Sequence, residues 1–210
     1  MKLEVRNLTL SVAGKLLVSD LSFNAREGQI LAIMGPSGCG KSSILDFLCG
    51  TLASNFQSSG SIILDEKDIT HTSSHQRGMG LQLQDHLLFP HLSVGENLAF
   101  GIPSCYSRSE RKQKIEKALN ECQLPGFGRN NPLTLSGGQR ARISLMRTLL
   151  SEPKVLLLDE PFSKLDPELR QQFREFVFKR VSELSIPVIM VTHDQADVPD
   201  TSEVIELSVG

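Results

Sequence analysis

Gly35-Pro-Ser-Gly-Cys-Gly-Lys-Ser42 fits the phosphate-binding pattern GxxxxGK[ST], and its surroundings give the pattern meaning. The apolar run at residues 29–34 reads as a strand, and residues from Lys41 to about Leu52 read as a helix. A glycine-rich turn between strand and helix can point backbone N–H groups inward around phosphate oxygens, while the helix N-terminus adds partial positive charge. Gly35, Pro36, Ser37, Gly38, Cys39, Gly40 and Ser43 form the candidate cradle. Lys41 is placed to contact the β- and γ-phosphates, and Ser42 to ligate Mg²⁺ through its hydroxyl. A turn that needed glycines for geometry alone would not explain Lys41 followed by Ser42.

A phosphate loop of this kind needs an acidic partner, and Val155-Leu-Leu-Leu-Asp-Glu160 supplies one. Uninterrupted aliphatic residues fit a strand buried on both faces of a parallel sheet, and the carboxylates at its end divide two roles. Asp159 is expected to hold the Mg²⁺ shell, and Glu160 to accept a proton from the attacking water. Outward from these two motifs, residues 3–10 alternate imperfectly through Leu3, Val5, Leu8 and Leu10, as an edge strand would. Residues 21–23, 61–64, 188–191 and 203–207 read as further strands. Residues 108–122 are charged, with Ile115, Ala118, Leu119 and Cys122 on one face, which fits an exposed amphipathic helix. Residues 126–132 read as a loop, and a helix begins after Ser136 and ends by Pro153. Asp166 and Pro167 look like an N-cap and first-turn proline opening a helix whose apolar face carries Leu169, Phe173, Phe176, Val177 and Leu184. Short apolar runs alternating with longer helical patterns predict an α/β domain with a largely parallel sheet.

The 210 residues allow one large domain or one with a modest insertion. A hydrophobic fraction of 40% with 22% charged residues excludes intrinsic disorder. Formal charge is only −2, so no whole-chain field attracts nucleic acid or an anionic membrane. No apolar stretch is long enough to span a bilayer, and Glu4 and Arg6 interrupt what a signal peptide would keep apolar, so a cytosolic chain is expected. Cys39, Cys49, Cys105 and Cys122 make no metal-binding spacing and read as reduced thiols. Cys39, beside Lys41 and a helix N-terminus, is expected to react readily with oxidants and alkylating reagents.

Leu135-Ser-Gly-Gly-Gln-Arg140, taken with the motifs above, resembles the signature sequence of the ABC ATPases. Ser136 is a good N-cap, and Gly137 and Gly138 let a phosphate approach the following helix. The resemblance implies a P-loop NTPase core with a mostly parallel sheet, an antiparallel β edge and an inserted α-helical subdomain. It places a core at residues 1–85 and 151–210 around a helical subdomain at 86–150, in one ABC ATPase domain. It also implies that Ser136, Gly137, Gly138 and Gln139 meet ATP in trans across a head-to-tail homodimer formed with ATP. Gln84 matches the glutamine that contacts Mg²⁺ or the lytic water; Gln82 is a neighbouring candidate, but the spacing to Leu88 and Phe89 favours Gln84. Ser163-Lys-Leu-Asp166 matches the loop that places Asp166 at the dimer interface, with Lys164 where alanine is usual. His193 matches the histidine that contacts the γ-phosphate.

The resemblance lacks one part. Family members usually stack an aromatic residue on adenine, whereas Val12 or Ala13 stands at that position here, so weaker ATP affinity and poorer discrimination against GTP are expected. Separate transmembrane permease subunits, and a solute-binding protein in the complex, are implied as partners at the cytoplasmic face of the bacterial inner membrane. Asp-Glu-Pro-Phe-Ser-Lys-Leu-Asp166 and Leu-Phe-Pro-His-Leu-Ser-Val-Gly-Glu-Asn97 look like importer ATPases, with an exporter or lipoprotein-release motor as the alternative. A soluble ABC ATPase acting on ribosomes or DNA is less favoured, since no coiled-coil insertion, second ATPase unit or basic run is present. The apolar stretch at residues 85–100 either lines a groove for the permease or packs the helical subdomain. The short tail after His193 suggests a minimal motor without a regulatory domain.

Overall fold

A computed structural model describes residues 1–208, which fall into two compact units. The first comprises residues 1–81, 154–161 and the chain from Phe178 onward; the second comprises residues 82–153 and 162–177.

In the first unit, strands β1 (Lys2–Val12), β2 (Lys15–Arg26), β4 (Phe56–Leu64) and β5 (Lys67–Asp68) form an antiparallel sheet in the order β2-β1-β4-β5. A five-stranded sheet has the order β6-β7-β8-β3-β9, from β3 (Ile30–Met34), β6 (Met79–Gln82), β7 (Val155–Asp159), β8 (Val188–Thr192) and β9 (Glu203–Glu206). Strand β3 pairs in parallel with β8 and β9, and β7 with β8. The aliphatic runs of β7 and β8 are fully buried, as strands covered on both faces must be. One apolar core joins both sheets to helix α1 (Lys41–Cys49), through residues such as Leu3, Leu10, Ile33, Ile44, Leu48 and Leu157.

The first strand corrects the expectation of an edge position. Strand β1 is paired on both sides, with β2 and β4. Its imperfect alternation comes from a bulge: the register shifts between Val5 and Leu8 against β2, and between Arg6 and Thr9 against β4. One extra residue moves the buried set from odd positions (Leu3, Val5) to even ones (Leu8, Leu10), so both halves face the core. Gly60 lies opposite at φ 117°, where a Cβ would sit 2.8 Å from the Arg6 carbonyl oxygen and from the Leu8 Cα. Helix α1 also stops earlier than residue 52, at a left-handed Gly50 whose N–H reaches the Asp46 and Phe47 carbonyls. The buried guanidinium of Arg77 donates to the carbonyls of Phe47, Leu48, Thr70 and Thr72, tying the end of α1 to the segment before β6.

The second unit is helical: α2 (Val94–Gly101), α3 (Arg108–Glu121), α4 (Gly137–Leu149) and the first part of α5 (Pro167–Glu183). Helices α2, α3 and α4 each open with a capping box, Ser93 with Glu96, Ser107 with Glu110, and Ser136 with Gln139. Their inner faces share a core that includes Val94, Leu98, Leu119, Cys122, Ile143 and Met146. Compared with the expected insertion at residues 86–150, this unit starts at Gln82 and also takes in residues 162–177. The physical reason is aromatic packing: the rings of Phe162 and Phe173 meet edge-on at 5.8 Å, Phe173 stacks on Phe176 at 6.2 Å, and the Arg142 guanidinium lies over Phe176. No helix among the described residues is long and apolar enough to cross a membrane.

Candidate functional site

In the first unit, β3 delivers the glycine-rich loop and α1 begins at Lys41. The N-cap of α1 is Gly40, with no side-chain cap and no acidic residue in the first turn. Its first N–H groups therefore lack the internal acceptors that a serine or aspartate would supply, the arrangement that suits an external anion. Lys41 is 5% exposed, and its Nζ donates to the carbonyls of Gly35 at 2.8 Å and Pro36 at 2.9 Å. The loop is closed tightly on itself: a Cβ at Gly35 would lie 2.7 Å from the Leu207 carbonyl oxygen and 2.8 Å from the Cys39 Sγ. Pro36, Ser37, Gly38 and Ser42 are exposed, whereas Cys39 is 2% exposed. Burial thus corrects the expectation of a readily reacting thiol. The Cys39 sulfur is turned into the protein, and its backbone N–H bonds the Pro36 carbonyl.

Strand β7 brings the two carboxylates to the same loop. Ser42 Oγ donates to Asp159 Oδ1 at 3.0 Å. Burial pushes the Asp159 carboxyl above its ordinary range and the nearby Glu160 charge adds to the rise, while the Ser42 hydrogen bond acts against it. The Lys41 charge offsets only part of that rise, and with a hydroxyl beside the carboxylate the donor set is hard oxygen throughout, which fits a divalent cation such as Mg²⁺. Among the described residues no cluster of three or more acidic, histidine or cysteine side chains could hold a metal alone. A Mg²⁺ ion that binds with nucleotide needs no such cluster, since one or two carboxylates with phosphate and water complete its shell.

Glu160 occupies a constrained backbone position at φ 41°, its N–H bonded to the Val191 carbonyl of β8. Its Oε1 lies 3.8 Å from Lys41 Nζ and its Oε2 lies 3.1 Å from His193 Nδ1. His193 follows β8 directly, and the turn after it is fixed by Thr192, whose hydroxyl donates to Asp197 and accepts from the Asp194 N–H. Lys41, Ser42, Asp159, Glu160 and His193 are therefore brought together in one unit. The β1–β2 hairpin turns through Ala13 at φ 49° and Gly14 at φ 78°, with Val12 in register opposite Lys15. Leu17 and Val18 of β2 lie against Gly40, 3.2 Å from where its Cβ would be. No aromatic side chain occurs at the turn of this hairpin, residues 11–15, and an introduced one is less strained at Val12 than at Ala13.

In the second unit, the two glutamine candidates separate. Gln82 is 2% exposed and bound internally, accepting from Ser144 Oγ and donating to the Leu83 carbonyl. Gln84 is half-buried, and its Nε2 donates to Ser163 Oγ at 2.9 Å. Ser136 caps α4, its Oγ accepting from the Gln139 N–H at 3.3 Å while Gln139 Oε1 accepts from the Ser136 N–H at 2.9 Å. Gly137 and Gly138 follow at the start of α4, close to the side chain of Leu169. Asp166 caps α5 by accepting from the Leu169 N–H. Sequence reasoning did not find Ser163 and Asp85, which hold Gln84 and Lys164 respectively, because such pairings between distant segments leave no local signal.

A family described as ABC transporter matches residues 18–163. The chain belongs to that family. Across 204 residues it is 44% identical to the uncharacterized ABC transporter ATP-binding protein YnjD of Escherichia coli K12, covering 97% of this chain and 94% of the relative. It is 37% identical to the Fe(3+) ions import ATP-binding protein FbpC of Escherichia coli O157:H7, covering 96% of this chain and 58% of FbpC. It is 39% identical to the spermidine/putrescine import ATP-binding protein PotA of Pasteurella multocida, covering 96% of this chain and 54% of PotA. The chain thus spans somewhat over half the length of these two import proteins. A solved structure, the dimeric post-hydrolysis state of the ATP-binding cassette MJ0796 bound to ADP and Pi, matches with a TM-score of 0.80 at 26% identity, over 99% of this chain and 95% of that one. The fold is that of a P-loop NTPase, and the chain is an ABC-type ATPase that binds ATP and couples its hydrolysis to transport.

Proposed function

We propose that this chain is the motor subunit of an importer on the cytoplasmic face of the bacterial inner membrane. It works as a homodimer formed with ATP, with separate permease subunits and a solute-binding protein completing the complex. The observation that carries the chemistry is Glu160, aimed between Lys41 and His193 and one residue past an Asp159 that already holds the Ser42 hydroxyl.

In this reading the loop from Gly35 to Ser43 and the uncapped start of α1 bind the nucleotide phosphates, and Lys41 adds a fixed positive charge. Mg²⁺, when bound with the nucleotide, supplies charge neutralisation, and Ser42, Asp159 and Gln84 are the residues that hold it. Glu160 takes a proton from the attacking water, a role that contributes typically 10²–10⁴-fold, and His193 orients that carboxylate. Ser136 to Gln139 of the partner protomer cover the phosphates from the opposite side, and Asp166 lies at the dimer interface.

Import is supported by the names of the FbpC and PotA relatives. The apolar stretch at residues 85–100 divides between the two expected uses. Val94 and Leu98 are buried in the second unit's core, whereas Leu87 and Phe100 are 59% and 68% exposed. The exposed pair, and a cleft of about 1070 Å³ lined by Ala99, Ile115 and Leu119 and bordered by Arg108 and Lys112, suit a loop of the permease. The tagged chain, purified from detergent-solubilised membranes, is expected to bring polytopic membrane proteins with it. Recovery of ribosomes or DNA in their place would overturn the transport reading.

A further inference from the structure

The segment after β6 and the segment after Glu160 are joined twice within the second unit, residue by residue. Gln84 Nε2 donates to Ser163 Oγ at 2.9 Å, and the next residue on each side repeats the link as an ion pair, Asp85 with Lys164. Each segment is anchored immediately beyond the link. The His86 carbonyl accepts from Ser144 Oγ at 2.7 Å and from Arg147, which also holds the Leu87 carbonyl. On the other side Phe162 is fully buried, the Leu165 N–H bonds the Phe162 carbonyl, and Asp166 caps α5. The side chains at positions 84, 85, 163 and 164 can therefore separate without disturbing the packed core behind them.

The strength of the ion pair fits a contact that opens in normal use. The Lys164 and Asp85 side chains are 47% and 63% exposed, and pairs in such surroundings are weak. While Gln84 Nε2 is held on Ser163 the amide cannot swing, so the direction of its Oε1, the atom that a metal ion or a water molecule would meet, is set by that bond.

We propose that the Lys164–Asp85 ion pair is a latch that keeps Gln84 on Ser163 and restrains hydrolysis until the latch opens. Lys164 and Asp85 are positioning residues acting through Gln84, so the inference rests on the metal- or water-directed role of Gln84 proposed above. Opening the latch raises the population of free Gln84 without altering the residues that grip the phosphates, so the effect falls on kcat and leaves the KM for ATP unchanged.

The test is steady-state Mg-ATP hydrolysis by the purified full chain. Asp85→Ala and Lys164→Ala are each expected to raise kcat about two- to fivefold, the range an exposed pair can supply, with KM constant. The double variant should rise no further than either single one, the swap Asp85→Lys with Lys164→Asp should return the original rate, and Lys164→Arg should keep it. Unchanged kcat in the single variants, additive effects in the double, or a swap that fails to restore the rate would overturn the latch. Gln84→Ala separates this from the reading beneath it. A Gln84→Ala protein with full activity removes the role of Gln84 itself, whereas impaired Gln84→Ala beside unresponsive Lys164→Ala removes the latch alone.

Discussion

Two helices of this protein begin with glycine-rich sequences expected to meet phosphate, and their first turns are built in opposite ways. Helix α1 starts at a left-handed Gly40 with no side chain to accept its leading N–H groups. Helix α4 starts at Ser136, whose hydroxyl and backbone exchange hydrogen bonds with Gln139. In the function proposed here the first terminus is completed by a ligand, while the second has two of its leading N–H groups, those of Ser136 and Gln139, held from within. On that proposal, the terminus that grips nucleotide leaves its donors unpaired, and the one that meets nucleotide only in a dimer is steadied by its own cap while it is apart. The lysine follows the same division: the α1 loop carries a buried Lys41, and the α4 turn carries no basic residue before Arg140.

Variants at the two termini should therefore separate binding from stability. Lys41→Ala removes the one cation of the uncapped end and should weaken ATP binding most, by about 1.5–3 kcal/mol or roughly ten- to a hundredfold in Kd, measured by nucleotide titration. At the capped end, Ser136→Ala should leave ATP binding by the monomer unchanged but lower the stability of the nucleotide-free protein by about 1 kcal/mol, read from denaturant unfolding. If Ser136→Ala costs no stability, the contrast between the termini fails.

Asp159→Asn sharpens the comparison with a smaller effect of opposite sign. The folded protein raises this carboxyl above its unfolded value, chiefly by burial, so its ionised form is disfavoured in the nucleotide-free fold at neutral pH. The contribution of Asp159 to stability is thus most favourable at low pH and is lost as pH rises through the raised value. Asp159→Asn should increase Tm at pH 7 by a few degrees at most, converge with the wild type in acid, and lose Mg²⁺-dependent hydrolysis. An unchanged or lowered Tm at pH 7 would show that burial of this charge costs the fold nothing.

Much of the site was legible because its parts are local. The phosphate loop, the aliphatic run ending at Asp159 and Glu160, the serine before Gly137 and the Asp166-Pro167 start are each written in a few adjacent residues, with a physical reason for their order. What depended on distant segments was not. The central place of β1 is decided by pairing with β4, and its broken alternation looked like an edge until the bulge opposite Gly60 explained it. Helix α2 was hidden inside an apolar stretch, although Ser93 and Glu96 carry the signal of its capping box. Residues 162–177 join the helical unit through Phe162, Phe173 and Phe176, whose ring contacts no periodicity reveals. The burial of Cys39 likewise depends on Gly35 leaving room for its sulfur, which the motif does not state.

The central claim is that Glu160, held between Lys41 and His193, takes the proton of the attacking water. The most direct test is Glu160→Gln, assayed for hydrolysis and for nucleotide-dependent dimerisation in the same preparation. The account predicts retained ATP binding, a rate reduced by about 10²–10⁴-fold, and an ATP-bound dimer that separates slowly on a sizing column. A Glu160→Gln protein that hydrolyses ATP at the wild-type rate would contradict it.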